Sequence, residues 1–208
     1  MDGILISSLG SVERSWSKWA NLRGVDPKLA LGMAHGRRAV ETIAGLRPDL
    51  DPDAELKVIE DIEIADGEGL SVLPGVLALL SALPPDRWTV VTSATVRLAR
   101  TRLAAVEVPV PDRIITAESV ARGKPDPAPF LAGAALLGFA PEDCVAIEDS
   151  SSGTRSGRAA GCTVVATTFS HPVESLSAAH YLIPDLTAVS ATSVGAEGLE
   201  LRFTPLAG

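Results

Sequence analysis

The chain reads as an α/β protein, a Rossmann-like parallel sheet with an inserted helical segment, and three observations predict it. The first third has helical periodicity and no strand pattern. After Leu73-Pro74-Gly75, short apolar runs alternate with helical ones. One of those runs ends in two adjacent carboxylates, Glu148-Asp149, followed by a Ser/Gly-rich turn. Strands alternating with helices imply parallel pairing through right-handed crossovers. A buried strand that stops at Glu148-Asp149 sets both acids at the carboxyl edge of the sheet, where open α/β sheets bind ligands. With 208 residues and 46% apolar content, the chain suffices for one such core plus a modest insertion. Only 4% is aromatic, so the core is expected to be aliphatic and alanine-rich.

Residues 1–8 place Asp2-Gly3 beside an apolar run, and taken alone that pair is a turn. Val12, Trp16 and Trp19 fall at i, i+4 and i+7 and predict a first amphipathic helix. Asp26-Pro27 and Asp51-Pro52 each have the form of an N-cap followed by proline at the first helical position. Between them, residues 37–46 carry Val40, Ile43 and Ala44 on one face. After Asp51, Leu56, Ile59, Ile62 and Ala65 keep helical spacing until Gly67-Glu68-Gly69 ends the run. Residues 11–74 are expected to form a helical unit inserted into a core made of 1–10 and 75–208.

In that core a helix over 76–83 leads to a strand over 88–92, the turn Ser93-Ala94-Thr95, and a helix carrying Leu98 and Leu103. A short strand is predicted over 113–116, then a loop and a helix with Phe130, Leu131, Ala134 and Leu137, closed by Gly138. A strand over 145–147 carries the acidic pair, and a small-residue helix runs to Gly161. Strands over 163–166 and 181–183 follow, with an edge strand over 199–203.

Eighteen basic residues against 26 acidic ones give a net charge of −8 with no basic stripe, which argues against nucleic acid and anionic membrane as partners. The longest apolar stretch, 72–83, is interrupted by Pro74 and too short to span a bilayer. No basic segment precedes an apolar run at the start, so a soluble cytoplasmic protein is expected. Cys144 and Cys162 adjoin predicted strands, lack metal-ligand spacing, and read as core thiols of a reducing compartment.

Several groups carry chemistry. Ser93, with Ala94 and Thr95, opens a helix N-terminus, where a hydroxyl and backbone N–H groups suit a phosphate oxygen. Lys124 sits in Gly123-Lys124-Pro125-Asp126-Pro127, a loop stiffened by two prolines. Glu148 and Asp149 repel each other and suit a hard divalent cation. Ala34-His35-Gly36-Arg37-Arg38, between two helices, reads either as a cationic face for an anionic substrate or as a solvated connecting loop. Each group alone has an ordinary structural explanation, the acidic pair as a solvated turn with a helix cap. Together and in this order they describe a site for a phosphoryl group plus a divalent metal.

This order of residues resembles the haloacid dehalogenase superfamily over essentially the whole chain, in particular its phosphatases and phosphomutases with a helical cap inserted after the first strand. Asp2-Gly3 is similar to the end of the family's Asp-x-Asp-Gly first motif, Ser93 to the hydroxyl of the second, and Lys124 to the lysine of the third. Glu148 and Asp149 are similar to the metal-binding acids of the fourth. The run 88–95 and His35-Gly36-Arg37 most resemble the glycerol-phosphate and deoxyglucose-phosphate phosphatase group, with β-phosphoglucomutase a close neighbour.

The resemblance implies a Mg2+-dependent phosphatase for a small phosphorylated sugar or polyol such as glycerol 3-phosphate, acting as a monomer. Asp2 would be general acid and base and give its main-chain carbonyl to the metal, with Glu148 and Asp149 as the other ligands. Ser93 and Lys124 would hold the phosphoryl oxygens with Ala94 and Thr95 beside them, and His35, Gly36 and Arg37 would select the substrate. The alternatives are a β-phosphoglucomutase-like mutase and a non-catalytic phosphate-binding protein. The mutase would be expected to carry a lysine where Val96 and Arg97 stand.

One departure is serious. The family's nucleophile is the first Asp of Asp-x-Asp-Gly, which falls one position ahead of Met1, and the apolar first strand would also lie upstream. Ser7 also stands where many relatives carry Asp. The 208-residue chain is therefore expected to lack its nucleophile and to have a gap in its sheet, a replacement strand or poor stability.

Overall fold

Two Asp-Pro pairs organise the first third. In the computed structural model, which describes residues 1–194 and 198–206, helices α2 (Pro27–Ala34) and α4 (Pro52–Ala65) each begin with proline in the first turn. The Asp26 carboxylate accepts hydrogen bonds from the amides of Lys28 and Leu29, and Asp51 from those of Asp53 and Ala54. Each cap satisfies donors that a helix start leaves open. Helix α1 (Leu9–Arg23) ends on Gly24 at φ 66, and α3 (Ala39–Leu46) completes the set. These four helices bury Trp16, Trp19, Ala20, Ala30, Ile43 and Ile59 in an apolar cluster of their own. The Trp19 indole donates to Glu55 Oε2 at 2.9 Å and Arg23 Nε to the same oxygen at 2.7 Å, so the indole N–H is not stranded in that core.

The helical segment leaves and returns through a two-stranded antiparallel junction, β1 (Ile6–Ser7) against β2 (Ser71–Val72), a pairing the sequence did not announce. Past it lie α5 (Val76–Ala82), α6 (Val96–Ala105) and α7 (Ala128–Leu137). The main sheet is parallel, in the order β3 (Val145–Glu148), β4 (Thr163–Thr167), β5 (Tyr181–Ile183). Its register aligns Val145 with Thr163 and Val165 with Tyr181. Helix α8 (Ser151–Ala160) crosses between β3 and β4. Its Gly157 lies so close to the sheet that a Cβ there would stand 3.1 Å from side-chain atoms of Ala146 and Val164. That contact explains the small-residue composition of the helix.

Three expectations need correction. The strands predicted over 88–92 and 113–116 reduce to a single parallel bridge, Val91 with Ile115. Two hydrogen bonds hold it, from Thr92 N to Ile115 O at 2.9 Å and from Ile115 N to Val90 O at 2.8 Å. The third concerns the end of the chain. Strand β7 (Gly198–Phe203) pairs antiparallel with β6 (Val189–Val194) in a separate ribbon and does not extend the parallel sheet.

The physical reason for the first two is a gap. A mostly apolar cavity of about 550 Å3 is lined by Val90 and Val91, by Ala146 and Ile147 of β3, and by Met1, Ile4 and Leu5. Leu199, Leu201 and Phe203, alternate residues of β7, also line it. Strand β3 pairs with β4 alone, and Val91 has one bridge partner. Cys144 and Cys162 are free thiols, the first half-buried and the second buried. Among the described residues no helix is long and apolar enough to cross a membrane.

Candidate active site

Strand β3 delivers Glu148 to the sheet edge, and the chain turns at once through Asp149 into α8, whose first turn is capped by Ser150 Oγ accepting from Gly153 N at 3.0 Å. Glu148 and Lys124 are each only 5% exposed and form an ion pair. Lys124 Nζ also donates to the Val91 carbonyl at 3.2 Å, so the ammonium is fixed from two directions. Burial acts to raise the Glu148 carboxyl, but Lys124 and the Met1 amino group outweigh it and hold the acid below its ordinary value. At Asp149 the same two cations act more weakly and are outweighed. Burial and the Glu148 charge push it up to about 6, against the Ser170 hydroxyl bonded to its Oδ2. Gly3, at φ +69, makes the close approach possible: a Cβ there would stand 1.9 Å from Asp149 Oδ2.

Asp2 is held by one oxygen. Its Oδ1 accepts from Ser8 Oγ at 2.5 Å and from Arg102 Nη1 at 3.0 Å. The Met1 nitrogen is buried beside Lys124, Asp2, Glu148 and Asp149. Thr95 caps α6 by accepting from Leu98 N at 3.2 Å, and its hydroxyl is also bonded to Glu60 of α4. Ala94 N donates to Thr92 Oγ1 at 3.1 Å. Ser93 Oγ donates to the Gly36 carbonyl at 3.3 Å, and Ser152 Oγ donates to the same carbonyl at 2.9 Å.

The loop between α2 and α3 closes the other side. Gly36 has φ +70 and leaves no room for a Cβ, which would lie 2.4 Å from Ser152 Oγ. His35 packs edge-on against His171, ring centroids 5.8 Å apart. Burial, with the neighbouring His171, holds His35 below the usual imidazole value. Arg37 is exposed at the cavity. Arg38 is committed elsewhere: it pairs with Glu41 and donates to the carbonyls of Ala117, Val120 and Ala121. Of the two arginines read as cations for a substrate, only Arg37 is left in that position.

All ten residues singled out in the sequence line one cavity of about 140 Å3: Asp2, His35, Gly36, Arg37, Ser93, Ala94, Thr95, Lys124, Glu148 and Asp149. They do not form a ready cage of carboxylates. Among the described residues no group of three or more His, Cys, Asp or Glu side chains converges as metal ligands. The Asp2 carboxylate is turned to Ser8 and Arg102, and that of Glu148 to Lys124. Asp149 is the acid whose charge is least compensated, and hard oxygen donors beside it suit a divalent cation.

Sequence reasoning missed Arg102, Glu60, Glu63, Ser170 and His171, all near these groups. Arg102 and Glu63 carried a readable signal. Arg102 lies seven residues after Thr95, two turns along the same face of α6. Glu60 and Glu63 are three apart on α4, sharing a face. Ser170 and His171 come from the loop after β4, and no periodicity marks a loop residue.

A Rossmann-like parallel α/β fold, with a lysine and two acids gathered at the carboxyl end of its sheet, is the class defined so far. The haloacid dehalogenase-like hydrolase model matches residues 1–161, and the chain belongs to that family. It is 44% identical over 172 residues to hexitol phosphatase A of Escherichia coli, covering 80% of this chain and 79% of that protein. It is 32% identical over 183 residues to glycerol-1-phosphate phosphohydrolase 1 of Saccharomyces cerevisiae, covering 81% and 73%. Among solved structures, CbbY of Rhodobacter sphaeroides in complex with phosphate superposes with a TM-score of 0.77 at 20% identity, over 89% of this chain and 92% of that one. That likeness is one of fold.

Proposed function

We propose that the protein is a Mg2+-dependent phosphatase of small polyol or sugar phosphates such as glycerol 3-phosphate. The observation that carries the reading is the fixed Lys124 ammonium, buried against Glu148 and the Val91 carbonyl in the cavity that also holds Ser93 and Asp2. The relatives named for hexitol and glycerol phosphates support the substrate class.

In this reading Lys124 and the Ser93 hydroxyl bind phosphoryl oxygens. Asp149, the Asp2 main-chain carbonyl and Glu148 would hold Mg2+, which supplies positive charge to the phosphoryl group. Asp2, restrained on Oδ1, keeps Oδ2 for proton transfer to the leaving alcohol and then from water. His35 and Arg37 meet the alcohol and, with Gly36, exclude bulk water. The attacking carboxylate, which would form an aspartyl-phosphate, is assigned to a position one residue ahead of Met1. Period-two alternation puts that position on the same face as Asp2. The mutase reading loses ground because Arg97, where a lysine would be needed, is paired with Glu60 and Asp61.

The test is phosphate release from a panel of polyol, sugar and acid phosphates with and without Mg2+. The reading predicts that a chain extended ahead of Met1 by the attacking Asp gives Mg2+-dependent release from glycerol and hexitol phosphates, which Lys124→Ala abolishes. Release unaffected by Lys124→Ala would overturn it.

A further inference from the structure

We propose that Arg102 is the residue that positions Asp2, and that Glu63 of the cap makes this positioning depend on the seating of the cap; the proposal rests on the role given to Asp2 above. Arg102 is only 3% exposed, in the last turn of α6. Its guanidinium spans two parts of the molecule: Nη1 donates to Asp2 Oδ1 at 3.0 Å and Nη2 to Glu63 Oε1, on α4, at 3.2 Å. Its Nε is buried without a partner among the described residues. A buried guanidinium is costly unless paired, and a pair broken by removing one partner leaves the other uncompensated.

The geometry at Asp2 is what a positioned acid needs. Ser8 and Arg102 both engage Oδ1, which fixes the carboxyl plane and leaves Oδ2 outside that pair of contacts. Ser8 sits between β1 and α1, and its hydroxyl donates to Asp2 with no bond to α4 among the described residues, so it cannot report on that helix. Arg102 can, because half of its pairing comes from Glu63, itself only 6% exposed. If α4 moves off α6, Arg102 loses that carboxylate and its hold on Asp2 changes. The planar fork of arginine is required, since a lysine ammonium cannot reach two separated carboxylates in one fixed plane.

Two measurements decide this. The first compares an alkyl polyol phosphate, whose leaving alcohol needs a proton, with p-nitrophenyl phosphate, whose leaving group does not. In a chain extended ahead of Met1 by the attacking Asp, Arg102→Lys should lower kcat on the alkyl ester by roughly a hundredfold, the low end of the 10²–10⁴ that a positioned acid supplies. KM should hold. On the aryl ester the burst of p-nitrophenol, which needs no proton from Asp2, should keep its rate, while steady-state turnover falls with the water attack that Asp2 serves as base. A burst slowed as much as the alkyl-ester turnover would mean a merely structural arginine and overturn the proposal. The second needs no turnover and uses the 208-residue chain with Glu63→Gln, a change of similar volume confined to the cap. Amide exchange should quicken at Gly3 and Leu5, whose N–H groups bond to Ile6 O and Met1 O beside Asp2. Quickening restricted to α4 and α6 would overturn the coupling. An extended chain with Arg102 intact that releases phosphate from neither ester would overturn the phosphatase reading instead, and the exchange result would still decide the coupling.

Discussion

At the scale of single residues, Asp149 and Lys124 behave in opposite ways. Burial and the Glu148 charge raise the Asp149 carboxyl to about 6, so the folded protein takes up a proton that the unfolded chain has already lost. Its contribution therefore turns unfavourable as pH rises from about 4 to about 6 and stays so above. A bound cation removes that penalty. Mg2+ should raise the Tm clearly at pH 7.5 and much less at pH 5, and Asp149→Ala should erase the difference. An equal rise in Tm for wild type and variant at pH 7.5 would take Asp149 out of the metal site. Lys124 is the converse case. Lys124→Met strands a buried Glu148 carboxylate, and loss of one partner of a buried pair costs about 3–5 kcal/mol. Denaturant titration should find a loss of that order at neutral pH, and a change below about 1 kcal/mol, the usual worth of an exposed pair, would mean the pair is solvated.

At the scale of elements, the sequence was most readable where local chemistry decides the structure. The Asp-Pro starts of α2 and α4 appear as read, because a capping carboxylate and a proline act within one turn. Asp51→Ala should cost about 1 kcal/mol, the usual worth of such a cap, measurable as a shift in the denaturation midpoint. Strands 88–92 and 113–116 were misread because a strand's existence depends on a neighbour the sequence cannot display. Hydrophobic residues such as Val90 and Ile115 are buried as expected, yet one bridge is all the ladder they find. The partner of β7 was missed for a related reason: Val189–Val194, with Ser190, Thr192 and Ser193, has too weak an apolar alternation to read as a strand. At the site, Ser93, Lys124 and the acidic pair were legible because they sit at strand ends or in a proline-stiffened loop. The pairing of Arg102 with Glu63 was not, although each residue carries a helical-face signal, since it joins positions 39 residues apart and needs the packing of α4 on α6.

At the scale of the whole molecule, a helical unit with its own apolar cluster lies over a sheet that is split by a cavity of about 550 Å3. Polar contacts tie the helical unit to the core: Glu60 to Thr95 and Arg97, Glu63 to Arg102, and Arg38 to the carbonyls of the loop leading to Lys124. Met1, Val91 and the β3 residues Ala146 and Ile147 all line the cavity, whose lining is mostly apolar, so a strand added there would have to be largely apolar on both faces. A five-residue strand is about 17 Å long and would supply ladder partners to Val91 and to the free edge of β3. Chains extended ahead of Met1 by such a strand should melt at a higher temperature than the 208-residue chain. Failure of several apolar extensions to raise the Tm would mean that the cavity is not a strand position.

The most direct test of the central claim joins that extension to the chemistry. Two chains would be compared, each carrying an apolar strand ahead of Met1 and differing only in whether the residue next to Met1 is Asp or Asn. Both should gain thermal stability over the unextended chain. Only the Asp form should release phosphate from glycerol or hexitol phosphates with Mg2+, and Lys124→Ala should abolish that release. Robust Lys124-dependent turnover by the unextended chain, or equal turnover by the Asp and Asn forms, would contradict the assignment of the nucleophile and with it the account of the site.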